Sequence, residues 1–403
     1  MFELKGQYNS AVIYTDDCDK DTRIQIETLL NQESCEGSMI RIMPDCHAGK
    51  GCVIGTTMTL KDKVIPNLVG VDIGCGMLAV KLKEKRVEFP KLDSVINSKV
   101  PSGFDIHKKQ IRDMTELSDI HADVNLERAK YSIGTLGGGN HFIEVDKDKD
   151  DCLWLVIHTG SRNLGKEICD FYQDMAYEKL KEKKAGGSLS ELTHTLIDKY
   201  KSENREKELS EALQKLKDDY KNTQPEVPYE LAYLKGDSFD MYIHDMEIAQ
   251  AYAKLNRRTI ADIIVKAMKW HIIDEFDTIH NYIDTKNMIL RKGSISALAG
   301  ERVIIPMNMR DGSLICTGKG NPEWNYSAPH GAGRVLSRSE AKESVPMKDF
   351  KNAMKGIYTT SVAQSTVDEA PQVYKPMGEI IENIHETVDI ADTIKPVYNF
   401  KAH

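Results

Sequence analysis

Long apolar runs are missing from this chain of 403 residues: no stretch approaches the length of a membrane span, and the opening MFELKGQYNS has no apolar core of the kind a secretory signal carries. The expectation is a cytoplasmic enzyme with no membrane partner. Positive charge is also in short supply. With 54 Lys and Arg against 62 Asp and Glu the formal charge is −8, so any contact with nucleic acid has to come from a local basic patch. Cysteine is sparse and scattered. Cys18, Cys35, Cys46, Cys52, Cys75, Cys152, Cys169 and Cys316 form no CxxC pair, which fits a reducing compartment better than a disulfide framework. Internal repeats and low-complexity tracts are absent. So are a GKS or GKT phosphate loop and a GxGxxG that opens a helix, which disfavours a Walker-type ATPase and a Rossmann enzyme.

What is present is the balance of a folded chain, 40% hydrophobic and 29% charged. Residues 1 to about 165 alternate short β-type runs with glycine turns: SMIRIMPD, GCVIGTTMTL, NLVGVDIG, GMLAVKL, HFIEV and DCLWLVIH. From 166 to 278 glycines thin out and apolar residues fall at helical spacing, through MEIAQAYAKLNRRTIADIIVKAMKWHIIDEF. The charged stretch SENREKELSEALQKLKDDYK within it reads as a solvated helix face. The β pattern then returns in ILRKGSIS, ERVIIPM and GSLICTG. The fold class is therefore α/β: two β-rich halves of one catalytic unit spanning 1–403, with a helical segment between them.

Four segments place polar side chains where the backbone can turn sharply: MPDCHAGKG (43–51), GVDIGCGM (70–77), GTLGGGNHFIE (134–144) and IHTGSR (157–162). Glycines around Asp72 and Cys75 would let a turn aim a carboxylate and a thiolate at one centre. His158 ends a buried-type strand, and strand ends feeding polar loops are where sites are built. Gly137 to Gly139 before Asn140 and His141 either cradle a phosphate with backbone N–H groups or form a plain turn. Further on come HNYID (280–284), RKGSISALAGERVIIP (291–306), GKGNPEWNYSAPHGAGRVLSR (318–338) and APQVYK (370–375). His330, flanked by Pro329 and by Gly331-Ala332-Gly333-Arg334, has space for a bulky ligand beside a guanidinium suited to phosphate. An imidazole in that setting is a candidate nucleophile. The remaining cysteines, and His107, His121, His194, His244, His271 and His385, read as ordinary packed or hydrogen-bonded residues.

Taken together, MPDCHAGKG, GVDIGCGM, LGGGNHFIE, IHTGSR, HNY, RKG and HGAGR, in that order, resemble the RtcB family of RNA-splicing and RNA-repair ligases from about residue 40 to the end. The resemblance implies a single α/β catalytic domain. It implies Asp72, Cys75, His141, His158 and His280 as ligands of two divalent metals, with Cys75 bridging. Thiolate softness alone would have suggested zinc, whereas the family works with Mn²⁺. It makes His330 the guanylated residue and Asn140, Glu144, Ser313, Ala332, Gly333, Tyr374 and Lys401 the holders of the guanylate from GTP, with Glu144 and Lys401 on the base. Arg162, Lys292 and Arg334 become candidates for phosphate and RNA-end contacts, and Asp45 lies in a motif lining the same site. The implied substrate is RNA with a 3′-phosphate or 2′,3′-cyclic phosphate, joined to a 5′-hydroxyl end in tRNA splicing or RNA repair. An activator protein is a further partner the resemblance allows.

Two departures stand out. Where relatives carry a small-residue loop like PGSMG, this chain has Pro306-Met307-Asn308-Met309-Arg310-Asp311, a charged pair beside the expected nucleotide pocket. Where they end in Lys-Gly, Lys401 is followed by Ala402-His403. Both suggest a divergent branch whose RNA need not be tRNA halves. The rival readings are a binuclear phosphoesterase, which would need the metal residues without a covalent His330, and a non-catalytic RNA-binding protein on a decayed scaffold, against which the complete ligand set counts.

Overall fold

Alternating apolar residues in the β-type runs build two large sheets in the computed structural model, which describes residues 1–49 and 51–402; Lys50 of the first motif and His403 lie outside them. Seven strands form one sheet in the order Ile272–Ile279, Gly76–Leu82, Leu153–Thr159, Phe142–Lys147, Val388–Phe400, Gly312–Gly318, Arg302–Asn308, every neighbouring pair antiparallel. Its edges approach each other: the Arg302 guanidinium donates to the Glu275 carbonyl at 3.1 Å, and the Ile304 N–H to the Thr278 hydroxyl at 3.3 Å. The sheet is thus curled, and Met77, Ala79, Phe142, Trp154, Val156, Ile304, Ile315 and Ile394 pack inside the curl. Period-two alternation sends Leu78, Val80, Leu155 and Ile157 to the other face, against Ile260, Ala261 and Ile264 of the helix Asp237–Met268. Both faces are buried, which is why these strands read as nearly continuous hydrophobic runs.

A six-stranded sheet follows the order Phe2–Lys5, Ser10–Ile13, Ile40–His47, Ile54–Thr59, Ile289–Lys292, Asn281–Asp284, with one parallel pairing, between Ser10–Ile13 and Ile40–His47. One of the crossings between the two sheets is a single residue long. Ile272–Ile279 ends one residue before Asn281–Asp284 begins, and that residue is His280.

The helical stretch differs from its expected bounds. It begins at Arg162 and its last helix stops at Met268, capped by Lys269 in the left-handed region (φ 61°), while Ile272–Ile279 is an edge strand. The apolar spacing of MKWHIIDEF satisfies a helix only up to that cap; beyond it the residues alternate in burial with period two. NLVGVDIG, expected as β, holds the short helix Pro66–Val69 with Pro66 in its first turn and then a turn through Asp72. The charged helices Leu189–Ser202 and Leu209–Asn222 bury only Tyr220 between them, as their composition anticipates.

Arg257, on the long helix, fixes where the ligand-bearing segments sit. Its fully buried guanidinium pairs with Asp277 through two bonds of 2.7 Å and donates to the carbonyls of Gly74 (2.8 Å) and Thr159 (2.9 Å). Asn256 beside it accepts from the Gly134 N–H at 2.7 Å and donates to the Thr135 and Gly160 carbonyls at 3.1 and 3.2 Å. Breaking a buried ion pair from one side strands a charge, at about 3 to 5 kcal/mol. Arg257→Ala should lower unfolding stability by roughly that amount in a denaturant titration; a loss below 1 kcal/mol would mean that the pair does not hold these segments.

Candidate active site

Two triads share one sulfur. Asp72, Cys75 and His141 have ligand atoms within 4.8 Å of one another, and so do Cys75, His158 and His280. The Cys75 Sγ lies 3.5 Å from His141 Nε2 and 3.4 Å from His158 Nε2, and Asp72 Oδ2 lies 2.9 Å from His141 Nε2. The opposite ring nitrogens are occupied by backbone: His141 Nδ1 donates to the Leu136 carbonyl at 2.9 Å and His158 Nδ1 to the Asn140 carbonyl at 3.2 Å. This outer bonding turns each Nε2 toward the sulfur, as in metal sites whose histidines are oriented from behind. Burial, with neighbouring positive groups, pushes the His158 and His280 pKa values well down, so both imidazoles are neutral and available as ligands. Burial opposes ionisation of Asp72, but the hydrogen bond to His141 and the charges around it hold its carboxyl at about 2. Four of the five donors are nitrogen or sulfur, and the shared sulfur suits two adjacent divalent ions.

His330 follows the strand Ser327–Pro329, which pairs with Ser294–Ser296 in a separate two-stranded sheet, and meets a residue of the six-stranded sheet. Its ring centroid is 4.9 Å from that of His280. Asp45, fully buried on the strand Ile40–His47, takes three bonds at one carboxylate oxygen: from His330 Nδ1 at 2.7 Å and from the His330 and Gly331 N–H groups at 3.1 Å each. The Nδ1 proton is engaged there, which leaves Nε2 as the lone-pair nitrogen. Gly333 is required by the same contact, because at φ 76° its backbone lies against that of Asp45 and a Cβ would collide with it. Gly137 (φ 84°) is required too, since the Arg162 guanidinium fills the space a Cβ would take.

A cleft of about 840 Å³ opens above these groups, lined by Asn140, Glu144, His158, His280, His330, Ala332, Gly333, Arg334, Tyr374 and Lys401 among others. These ten expected site residues are brought together. Asp45, Asp72, Cys75 and His141 stand directly behind them. Arg162 lies deeper, donating to the Thr135 hydroxyl at 3.0 Å and the Gly103 carbonyl at 2.8 Å. Lys292 is buried with Nζ on the Asn67 carbonyl at 2.6 Å, and Ser313 is buried with its Oγ unpartnered; neither lines the cleft. The departure at 306–311 resolves simply: Pro306 to Met309 line the cleft, while Arg310 and Asp311 pair with each other at 2.8 Å outside it.

Sequence reasoning missed the group that organises the far end. Glu369 is a buried carboxylate that takes the Lys401 ammonium at 2.8 Å, the Tyr374 hydroxyl at 2.7 Å, Arg338 at 2.9 Å and Arg334 at 3.3 Å. Burial works against its charge, yet Lys401 and Arg338 hold it at about 2. Arg334 also donates to the Leu336 and Asp368 carbonyls, so its fork is spent on the protein. The only local signal was an acidic pair, Asp368-Glu369, immediately before APQVYK. His47 was passed over as well; it lines the cleft with Nδ1 3.1 Å from the Asp45 carbonyl.

Glu144 has the opposite character. Burial raises its carboxyl to about 7 despite the Asn399 amide and Lys401, and burial beside Glu144 holds Asp146 well above the carboxylate range. Both Asp146 oxygens lack a partner. Two raised carboxyl pKa values mean that the folded chain binds more protons than the unfolded one from about pH 4 up through about pH 7, so stability falls as pH rises across that window. Asp146→Asn should therefore raise the melting temperature more at pH 8 than at pH 5; equal shifts at both values would show that the fold does not raise the Asp146 pKa. For the two triads, Cys75→Ser should weaken binding of divalent metal by more than the roughly 10- to 100-fold that loss of an outer partner costs, with the circular dichroism spectrum retained. Two ions per chain at unchanged affinity would rule out a shared thiolate.

The family profile described as tRNA-splicing ligase RtcB matches residues 25–125 and 115–402. The chain is 29% identical to the RNA-splicing ligase RtcB of Escherichia coli strain K12, over 89% of this chain and 88% of that protein. It is 26% identical to the tRNA-splicing ligase RtcB of Aeropyrum pernix (93% and 91% covered) and 25% identical to that of Thermococcus kodakarensis (86% and 83%).

Proposed function

From the premise that the chain belongs to the RtcB family, we propose that it is a GTP- and Mn²⁺-dependent RNA ligase that joins a 3′-phosphate or 2′,3′-cyclic phosphate end to a 5′-hydroxyl end. One observation carries the reading: a histidine whose Nδ1 is held by a buried carboxylate stands in a cleft 4.9 Å, ring to ring, from a ligand of a two-triad thiolate centre. Asp72, Cys75, His141, His158 and His280 would hold two Mn²⁺ ions. Bound there, such ions supply Lewis acidity toward phosphate oxygens and lower the pKa of an attacking hydroxyl.

The chain's own part is nucleophile and scaffold. His330 Nε2 attacks the α-phosphorus of GTP and releases pyrophosphate, giving a phosphoramidate; Asp45 stabilises the positive charge that develops on the ring by keeping the Nδ1 proton. The RNA 3′-phosphate, formed by hydrolysis where the end is cyclic, attacks that phosphorus and frees His330, leaving RNA(3′)pp(5′)G. Attack of the 5′-hydroxyl on the RNA-side phosphorus then expels GMP and closes the 3′,5′ bond. Glu144 and Lys401 would read the guanine edge, with Asn140, Ala332, Gly333 and Tyr374 around the rest of the nucleotide. Tyr374 and Lys401 are positioned by Glu369. The cytoplasm is the compartment proposed; no described helix is long and apolar enough to cross a membrane.

Mass spectrometry after incubation with GTP and Mn²⁺ should find GMP on the peptide holding His330, acid-labile and base-stable. An adduct on lysine, or one that persists in His330→Ala, defeats the assignment. Asp45→Asn should form the adduct more slowly by about 10²- to 10⁴-fold, the scale on which a lost carboxylate partner costs a catalytic histidine; an unchanged rate would remove Asp45 from the mechanism. On one nicked stem-loop, 3′-phosphate and 5′-hydroxyl ends should join with GTP, and 3′-hydroxyl and 5′-phosphate ends should not. Joining of only the second pair, or joining with ATP alone, is the contrary result.

A further inference from the structure

Among the large apolar side chains left in solvent, Phe104 is the extreme case, 92% exposed. Exposure of that degree usually belongs to a loose loop, and here the backbone is tied on every side. The Gly103 N–H donates to the Gly137 carbonyl at 2.9 Å, the Asp105 N–H to the Ser102 carbonyl at 3.1 Å, and the Leu136 N–H to the Pro101 carbonyl at 2.9 Å. Two arginines hold the carbonyls on either side of the Phe104 N–H: Arg162 donates to Gly103 at 2.8 Å and Arg128 to Phe104 at 3.0 Å. The ring therefore stands bare on a fixed pedestal, with its entropic cost already met by the scaffold.

Its position relates it to the cleft. Gly103 pairs with Gly137, at the head of the glycine segment that runs to Asn140 on the cleft wall. Gly138 and Gly139 between them are exposed, and a Cβ on Gly138 would come within 4 Å only of the Gly103 Cα, at 3.8 Å. A floor without side chains thus leads from the ring toward the cleft. Arg162 is shared by the pedestal and by the metal-side loop, and the exposed Lys108 and Lys109 follow on the same segment. An exposed aromatic ring with the Arg128 guanidinium on its own carbonyl, on a segment that continues into exposed lysines, combines what binds single-stranded nucleic acid, stacking for the base and charge for the backbone. In a chain of net charge −8 that combination has to be local.

We propose that Phe104 is the stacking platform for a base at the RNA end that enters the cleft, with the glycine floor carrying its sugar-phosphate toward the reacting centre. The proposal rests on the ligase reading for the identity of the strand. It adds a positioning residue outside the nucleotide and metal sites.

The test uses the full-length protein with Mn²⁺ and two short RNAs, one with 2-aminopurine as the last nucleotide before a 3′-phosphate and one with it as the first nucleotide after a 5′-hydroxyl. Wild-type protein should quench one of the two labels, which identifies the strand. Phe104→Ala should lose that quench and weaken binding of that RNA by roughly 5- to 100-fold, the range that one base–aromatic stack supplies, and Phe104→Trp should restore both. Equal affinity and equal quench in wild type and Phe104→Ala overturns the proposal. So does the absence of quenching with either label, or a Phe104→Ala variant whose only change is loss of self-association in sedimentation, which would make the ring a contact between copies. Because stacking is read without joining, its failure is separable from that of the ligase reading, which falls on the His330 adduct.

Discussion

The guanidinium of Arg257 is the constraint on which the site depends. Its four hydrogen bonds end on Asp277, on the carbonyl just before Cys75 and on the carbonyl just after His158. Asp277 is three residues from His280. A single buried cation thus fixes the relative placement of three candidate ligands at three neighbouring strands. Desolvating that cation is expensive, and four well-formed bonds are what offset the cost. Apart from the Asp72–His141 pair at 2.9 Å, these side chains attract one another little without an ion, since the neutral imidazoles of His158 and His280 and a thiol gain almost nothing by proximity. Their convergence has to come from behind, from Arg257, from Asn256 and from the backbone acceptors on His141 and His158.

Two regimes of buried charge divide the cleft. At one wall Glu369 is ionised because Lys401 and Arg338 surround it, and it fixes Tyr374 and Lys401 in place. At the other, Glu144 and Asp146 share a dry sheet face with a single amide donor, Asn399, and burial favours their neutral forms. Lys401 lies between them, its Nζ 2.8 Å from Glu369 and 3.4 Å from the Asn140 carbonyl. A polar ligand that brings N–H donors to Glu144 would supply what this wall lacks, and the unpartnered Asp146 and Asn399 oxygens beside it mark the same deficit. The guanine edge proposed for this wall carries such donors.

Much of this was legible in the sequence, for identifiable reasons. Asp72, Cys75, His141 and His158 each end an apolar run at a glycine turn, and both features survive in the chain as local pattern. His330 among small residues was equally visible. The partnership between Asp45 and His330 was not, because the two are 285 positions apart and meet only when the strand before His330 packs against Ile40–His47. Glu369 escaped for the same reason: an acidic pair before a proline has no local mark that separates it from any surface pair, and its four partners come from three segments. The end of the long helix was misjudged because MKWHIIDEF satisfies a helical stripe as far as the cap, and only pairing with Gly76–Leu82 selects the strand beyond it.

His280 gives the arrangement its economy. It is the one residue between a strand of the curled sheet and a strand of the six-stranded sheet. Its N–H is held by the Cys75 carbonyl at 2.9 Å, and its own carbonyl accepts from Ser294 at 3.3 Å, on the strand that pairs with Ser327–Pro329 immediately before His330. The same residue thus belongs to the thiolate centre through its ring and to the His330 segment through its backbone. Any shift of one sheet against the other would change the separation of metal centre and nucleophile through this residue first. The proposed transfer of a nucleotide from His330 to RNA beside two metal ions would need that separation fixed to within a few tenths of an ångström, and a one-residue link between a strand of each sheet leaves little play for it to vary.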